Sequence, residues 1–401
     1  MRILVQKFGG SSVADLECMK KVRGKVLAAR EEGYMVVVVL SARYGQTNSL
    51  LERAYQWSDE PDLAELDVLL TTGEQESVAL FSMLLRDAGV KARSFLGFQI
   101  PIVTDDAYGS ARIDSISADV IRKAFETYDV IVMAGFQGRT KDMRLTTLGR
   151  GGSDTSAVAI AAALGDDTIC DIYTDVDGVY TTDPRVCKEA HKMDKVSYEE
   201  MLEMASMGAK VLQIRSVEIA EKFNVPVRVR STFSNDPGTL VTKEDNMMES
   251  VLVSGIAFDK DQARVTLCDV QDRPGSAASI FSKLGDAGLV VDMIVQTASR
   301  NGVTDIAFTI SRKDLKRTME VLESQDCGCS KIESAQSIAK VSVIGVGMRN
   351  HSGVASRVFD TLYKAGINVI MISTSEVKIS CLIKEEDLNL AVNTLHKAFE
   401  L

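Results

Sequence analysis

Residues 35–41 read Met-Val-Val-Val-Val-Leu-Ser, and residues 129–134 read Asp-Val-Ile-Val-Met-Ala. Runs apolar on both faces belong to strands covered on both sides, as in a parallel sheet under helices. Shorter runs predict further strands at 2–7, 99–104, 169–174 and 225–230. Between them, apolar positions recur at helical spacing and predict helices over 13–31, 62–88, 114–127, 154–164 and 198–222. Such alternation predicts an α/β domain over 1–245, with a mostly parallel sheet between helix layers. The turn-rich stretch Ser234-Asn235-Asp236-Pro237-Gly238, followed by Lys243-Glu244-Asp245-Asn246, marks the boundary.

The remainder repeats itself. Residues 274–294 and 352–372 align at one constant offset, with Gly275 on Gly353, Phe281 on Phe359, Gly288 on Gly366 and Met293 on Met371. Each copy reads as strand, glycine turn, helix, glycine cap, strand, the cap supplying a left-handed position after the helix.

Composition narrows the chemistry. The 401 residues suggest two or three domains, and the net charge of −10, without basic clusters, argues against nucleic acid or an anionic membrane as partner. No apolar run is long enough to span a bilayer, and the N-terminus reads as a strand rather than a signal peptide. Seven scattered cysteines fit a reducing cytoplasm, and three histidines far apart in sequence make a zinc site a poor fit.

Three segments carry candidate chemistry. Lys7-Phe8-Gly9-Gly10-Ser11-Ser12 joins the first strand to the first helix. Glycines, free amides and a helix N-terminus cradle phosphate oxygens, with a lysine as point charge; an ordinary strand–helix turn is the alternative. Gly149-Arg150-Gly151-Gly152-Ser153-Asp154 opens another helix. Arginine grips a carboxylate with two parallel hydrogen bonds, while Asp154 alone could be a helix cap. Tyr173-Thr174-Asp175-Val176-Asp177-Gly178-Val179-Tyr180-Thr181-Thr182-Asp183-Pro184-Arg185 is dense in hydroxyls and acids. Thr71-Thr72-Gly73-Glu74 is a weaker signal, a capping acid by default.

Together with Met207-Gly208-Ala209-Lys210, these motifs resemble the aspartokinases of the amino-acid kinase family, in the right order along the whole chain. The repeat resembles a pair of ferredoxin-like βαββαβ ACT domains. The resemblance implies ATP-dependent phosphorylation of the side-chain carboxylate of aspartate, the first step toward lysine, threonine and methionine. It also implies Mg²⁺ with the nucleotide and feedback inhibition by lysine or threonine. Residue by residue, Lys7 and Asp154 would be catalytic. Lys7, Gly9, Gly10, Thr174, Asp175, Tyr180, Arg185 and Lys210 would line the nucleotide site. Ser41, Thr47, Glu74, Arg150, Gly151, Gly152, Ser153 and Asp154 would bind the acceptor, with Phe136 nearby; Glu74 would take its ammonium and Arg150 its α-carboxylate. Asp272, Gly275, Ser276, Ala277, Met293, Ile294, Gln296, Asn368 and Val369 would bind the effector, Asn368 from a partner chain. The chain departs from the family at Val211-Leu212-Gln213-Ile214-Arg215, where many members carry His-Pro, and in the bulkier loop 42–45.

An ACT unit needs four strands, and the second copy, 340–401, has only three. The strand at 251–258 is expected to fill the gap, so that the first copy, 263–337, is inserted within the second. A chain started at Met247 or Met248 would then be a complete regulatory unit, leaving both a homo-oligomer such as a homodimer and an α2β2 assembly open. Two rival functions stand beside the main reading: another kinase of the same fold, acting on acetylglutamate, glutamate or a nucleoside monophosphate, and a non-catalytic amino-acid sensor.

Overall fold

The computed structural model describes residues 2–165, 167–207, 211–244, 252–324 and 327–401. Met247, Met248 and Lys210 lie outside them. Two compact units result. The first takes 2–179, Lys192–Ser206 and 211–244; the second takes Tyr180–His191, Met207 and 252–401.

The first unit begins with β1 (Ile3–Phe8), α1 (Leu16–Glu31), β2 (Met35–Leu40), α2 (Gln46–Trp57), α3 (Leu63–Leu70), α4 (Thr72–Asp87) and β3 (Ala92–Phe95). It continues with β4 (Ile102–Thr104), β5 (Ile113–Ile116), α5 (Ala118–Ala124), β6 (Val130–Ala134), β7 (Gln137–Arg139), β8 (Leu145–Thr147) and α6 (Gly152–Leu164). It closes with β9 (Thr168–Thr174), β10 (Lys195–Ser197), α7 (Tyr198–Ser206), α8 (Ile214–Phe223), β11 (Val227–Ser231) and β12 (Thr239–Thr242).

Eight strands form one sheet in the order β10-β12-β11-β9-β1-β2-β6-β3. Every pairing in it is parallel except that of β11 with β12. The apolar runs of β2 and β6 are buried, as expected of strands covered on both faces. β1 lies between β2 and β9, so its C-terminal end opens mid-sheet, where open α/β sheets hold ligands. A small sheet, β5-β4-β7-β8, stands apart. Three expected helices need correction. The helix over 62–88 is two, α3 and α4, meeting at Thr71, whose hydroxyl donates to the Val68 carbonyl. The helix over 114–127 is shorter, because 113–116 pairs with β4. The helix over 198–222 is two, α7 and α8.

The second unit contains β13 (Gly255–Gln271), α9 (Ser276–Asp286), β14 (Val291–Gln296), β15 (Val303–Ile310), α10 (Leu315–Glu323), β16 (Lys331–Ile344), α11 (Val354–Lys364), β17 (Met371–Thr374), β18 (Lys378–Lys384) and α12 (Leu388–Ala398). The sequence set the strand at 251–258 apart from the copy beginning at 263, and the copy ending at 337 apart from the one beginning at 340. The structure fuses each pair into one long strand, kinked by irregular register around Asp259–Arg264. Gly255–Asp259 pairs with Lys340–Ile344, and Arg264–Cys268 with Lys331–Ala335. The six strands run β14-β15-β13-β16-β18-β17. Separate helix layers cover the two halves: Ile280, Leu284 and Leu322 on one, Val358, Leu362, Val392 and Leu395 on the other. The opposite face curls until Met293 of β14 and Met371 of β17, from the two edges, share a buried cluster with Ile338 and Leu382.

On that curled face Lys340 is 2% exposed and pairs with Asp292, which is 41% exposed. The pair is asymmetric: without Lys340 the aspartate keeps water, whereas without Asp292 a buried ammonium loses its partner. Asp292→Ala is therefore expected to cost ~3 kcal/mol and Lys340→Met little or nothing. Thermal unfolding of both variants checks this; equal losses would contradict it.

Candidate functional site

Lys7 is the penultimate residue of β1, in register with Val39 and Ile172. Its Nζ lies 2.5 Å from Asp154 Oδ1, and each side chain is 11% exposed. Beyond Phe8 the chain crosses a narrow gap. The Gly9 N–H donates to the Tyr173 carbonyl at 3.4 Å. A Cβ on Gly10 would lie 2.9 Å from the Ala42 carbonyl oxygen, so any side chain there forces the two loops apart. A short 3-10 turn, Gly10–Val13, then leads to α1, capped by Asp15.

Asp154 stands in the first turn of α6. Gly151, at φ 68°, precedes that helix, and a Cβ there would sit 1.8 Å from Gln213 Cγ. Gly152 packs on Phe136 and Leu148, and Ser153 is buried against Gly135. Phe136 also has a left-handed backbone, φ 69°, a conformation costing about 1–3 kcal/mol for such a residue. Its N–H donates to Ser156 Oγ at 3.0 Å and its carbonyl accepts from Leu148 N–H at 2.9 Å, which holds the strained turn. Arg150 is exposed and makes no ion pair with a described residue.

Glu74, in the first turn of α4, is 3% exposed. Oε1 accepts the Ala42 N–H at 2.9 Å, while Oε2 is buried without a partner. Burial pushes its carboxyl up to about 7, against the lowering effect of the Ala42 amide. Ser41 donates its N–H to the Phe8 carbonyl at 3.2 Å, and Tyr44 its N–H to the Gly10 carbonyl at the same distance. Segment 41–44 thus ties the first glycine loop to Glu74. Thr47 is half-buried in the first turn of α2.

The structure thereby gathers Lys7, Gly9, Gly10, Ser41, Glu74 and Asp154 at the carboxyl ends of the central strands. Thr174 ends β9 and donates to Asp175 Oδ1 at 3.0 Å. Tyr180 and Arg185 belong to the second unit. There Arg185 forks onto Asp183, with Nη2 at 2.7 Å, and holds that carboxyl below its ordinary value. Among the effector candidates, Asp272 is exposed and donates its N–H to the Gly302 carbonyl. Gly275, at φ 96°, starts α9; Ser276 Oγ donates to the Gln271 carbonyl, and Ala277 packs partly against the helix-covered core. The Met293 side chain is core, whereas Ile294, Gln296 and Asn368 are exposed and Val369 is half-buried.

Two residues that motif reading missed hold the loop before Arg150: Asp67, fully buried on α3, and Arg215, in the first turn of α8. Neither lies in a glycine-rich motif. The one available signal was a second acid, after Glu65, inside the otherwise apolar helix Leu63–Leu70.

Known proteins resemble this chain over its full length. The amino acid kinase family profile matches residues 2–231, and ACT domain profiles match 264–327 and 341–399. An aspartokinase from Pseudomonas aeruginosa is 51% identical over 405 residues, covering 100% of this chain and 98% of its own. The crystal structure of E. coli aspartokinase III in complex with aspartate and ADP has 29% identity and a TM-score of 0.81 over 100% of both chains. The form with lysine and aspartate has 29% identity and a TM-score of 0.79 over 99% of both.

The half-satisfied Glu74 gives a direct test. Carbon-detected NMR of the unliganded protein is expected to show Glu74 titrating near 7. Because burial raises the folded value, this carboxyl favours folding most below its ordinary 4.5, and that contribution is lost as pH rises through 7. A cationic ligand at Oε2 should move the midpoint down. A midpoint near 4.5 without ligand would contradict the geometry.

Proposed function

The chain belongs to the aspartokinases of the amino acid kinase family, and from that premise we propose that Lys7 meets the transferring phosphoryl group while Glu74 and Arg150 hold the aspartate. The reaction moves the γ-phosphoryl group of ATP to the side-chain carboxylate of aspartate. A carboxylate oxygen forms the new O–P bond, the bond to the β-phosphate oxygen breaks, and ADP leaves. The nucleophile is already ionised at neutral pH, so no general base is required, and positioning and charge neutralisation carry the catalysis.

The orphaned Glu74 Oε2 carries the reading. A buried carboxylate oxygen without a donor is costly unless a ligand supplies one, and the α-ammonium of aspartate does. Arg150, exposed and without an ion pair among the described residues, suits the α-carboxylate as a bidentate partner. Asp154 keeps the Lys7 ammonium aimed at the phosphoryl oxygens, and the amides after Gly9 and Gly10 add donors. Thr174, Asp175, Tyr180, Arg185 and Lys210 remain the candidates for the nucleotide's other contacts, and Thr47, Gly151, Gly152 and Ser153 for the acceptor's. Among the described residues no cluster of three or more His, Cys, Asp or Glu is arranged for a metal. Mg²⁺, which takes few protein ligands, would be held largely by the phosphates of ATP and would supply charge neutralisation there.

The domain reading is a kinase over 1–245, one ACT domain over 263–337, and a second from 251–258 plus 340–401. The ladder of Gly255–Asp259 with Lys340–Ile344 supports it. An end-product amino acid, lysine or threonine, would bind at Asp272–Ala277 with Met293, Ile294, Gln296 and Val369, completed by Asn368 of a second chain. Lysine has precedent in the E. coli structure. A homodimer or an α2β2 assembly would follow, and seven free cysteines suit the cytoplasm.

An ADP-release assay offering aspartate, glutamate, acetylglutamate and UMP tests the acceptor, with aspartate expected to dominate. Lys7→Ala should lower kcat strongly with the aspartate KM little changed, and Arg150→Ala should raise the aspartate KM steeply while sparing that of ATP. Equal weakening of both ligands in Arg150→Ala would leave it a structural residue. For regulation, Asp272→Ala should keep activity and lose feedback inhibition; inhibition surviving for every amino acid tested would remove the site.

A further inference from the structure

Arg150 leads the acceptor loop, yet its own side chain holds nothing in place. The loop is fixed by the residues just before it. Thr147 donates its N–H to Asp67 Oδ2 at 2.9 Å and its hydroxyl to Asp67 Oδ1 at 2.6 Å. The same carboxylate accepts the Gly109 N–H at 3.1 and 3.0 Å on its two oxygens. One residue further along, Arg215 donates Nη1 to the Leu148 carbonyl at 2.5 Å and Nη2 to the Ala111 carbonyl at 2.9 Å. Between these two charges the segments bond directly, Ala111 N–H to the Thr147 carbonyl at 2.9 Å. Gln213, two residues before Arg215, fills the space over Gly151.

We propose that Asp67 and Arg215 are positioning residues that clamp the backbone of 147–149 against 109–111, and so set where Arg150 presents its guanidinium to the acceptor. The chemistry divides by sign. The carboxylate takes every donor the loop offers at 147, and the guanidinium fork takes the carbonyls at 148 and 111. Two charged groups on separate helices, α3 and α8, thereby hold one backbone on both sides. A fully buried aspartate whose two oxygens take four contacts from three donors has no spare capacity for ligand, which separates it from Glu74. This inference rests on the assignment of Arg150 to the aspartate α-carboxylate.

Steady-state kinetics of the full-length enzyme test it. Arg215→Lys keeps the charge but loses the fork, and is expected to raise the aspartate KM about tenfold, since misplacement by about 1 Å can cost roughly 100-fold. The KM of ATP should stay within about twofold. Thr147→Val removes one donor to Asp67 and should act in the same direction, with Thr147→Ser restoring the parent value; this pair reads the clamp even if Arg215→Lys folds poorly. In an Arg150→Ala background, Arg215→Lys should add less than about twofold, because its effect passes through Arg150. Full additivity there, or equal losses for ATP and aspartate, would make Arg215 a general structural residue and overturn the proposal. An aspartate KM unmoved by Arg215→Lys and Thr147→Val but raised by Arg150→Ala overturns the clamp alone. An aspartate KM unmoved by Arg150→Ala overturns the assignment beneath it.

Discussion

Asp154 reaches Lys7 only because α6 lies almost against β1. That approach is a constraint on side-chain volume. The helix reads Gly-Ser-Asp-Thr-Ser-Ala-Val-Ala-Ile-Ala-Ala-Ala-Leu, and nearly every residue in it is buried. Small residues face the sheet, and Gly135 at the end of β6 leaves room for Ser153. Interiors packed at crystal-like density cannot absorb extra methyl groups without moving an element. A bulkier helix would stand farther from the sheet and leave the lysine without its carboxylate. The glycine loops, the Phe136 turn and the segment after β2 are all arranged around this contact.

The buried carboxylates of the first unit show how environment divides structural from reactive acids. Asp67 is saturated by amides and a hydroxyl. Asp171 is held by Arg228, at 2.6 and 3.0 Å, and by Arg230. Burial still raises its carboxyl, though the two guanidinium groups oppose the shift. Both have all the partners they need. Asp154 has one cation, and Glu74 has one amide and an idle oxygen. Incomplete satisfaction is tolerated in a folded protein where a ligand completes it. In an acidic chain, anionic substrates would have to be met by a few placed cations, the role proposed for Lys7 and Arg150, rather than by the overall field.

Much of this was legible in the sequence, for identifiable reasons. Parallel strands announced themselves as apolar runs, and glycine-rich turns marked the two loops that bring Lys7 and Asp154 together. The offset repeat revealed two related units. What escaped was decided by tertiary contact. The break at Thr71 depends on how Gly73 packs against Ala42, where a Cβ would come within 2.8 Å of Ala42 Cβ. The helix at Gln46–Trp57 follows a left-handed Gly45 but buries only Leu50 and exposes Tyr55 and Trp57, so its apolar positions do not mark one covered face. The strands of the small sheet are three or four residues long and too short to show alternation. Asp67 and Arg215 matter through backbone groups, which no side-chain motif records. The fusion of neighbouring strands into β13 and β16 depends on pairing geometry rather than on composition.

Those two long strands also bear on how the regulatory half can fold. The ladder between Gly255–Asp259 and Lys340–Ile344 joins segments about eighty residues apart, a closure whose entropic cost grows logarithmically with separation and whose non-local contacts slow folding. The intervening repeat removes most of that penalty. Once Arg264–Cys268 has paired with Lys331–Ala335, the remaining residues of both strands emerge side by side, and the second ladder closes by zippering past a kink. The order of events is then written into the topology: the inner repeat is the template, and the outer repeat has a low-contact-order route to its native pairing only after the inner one has formed.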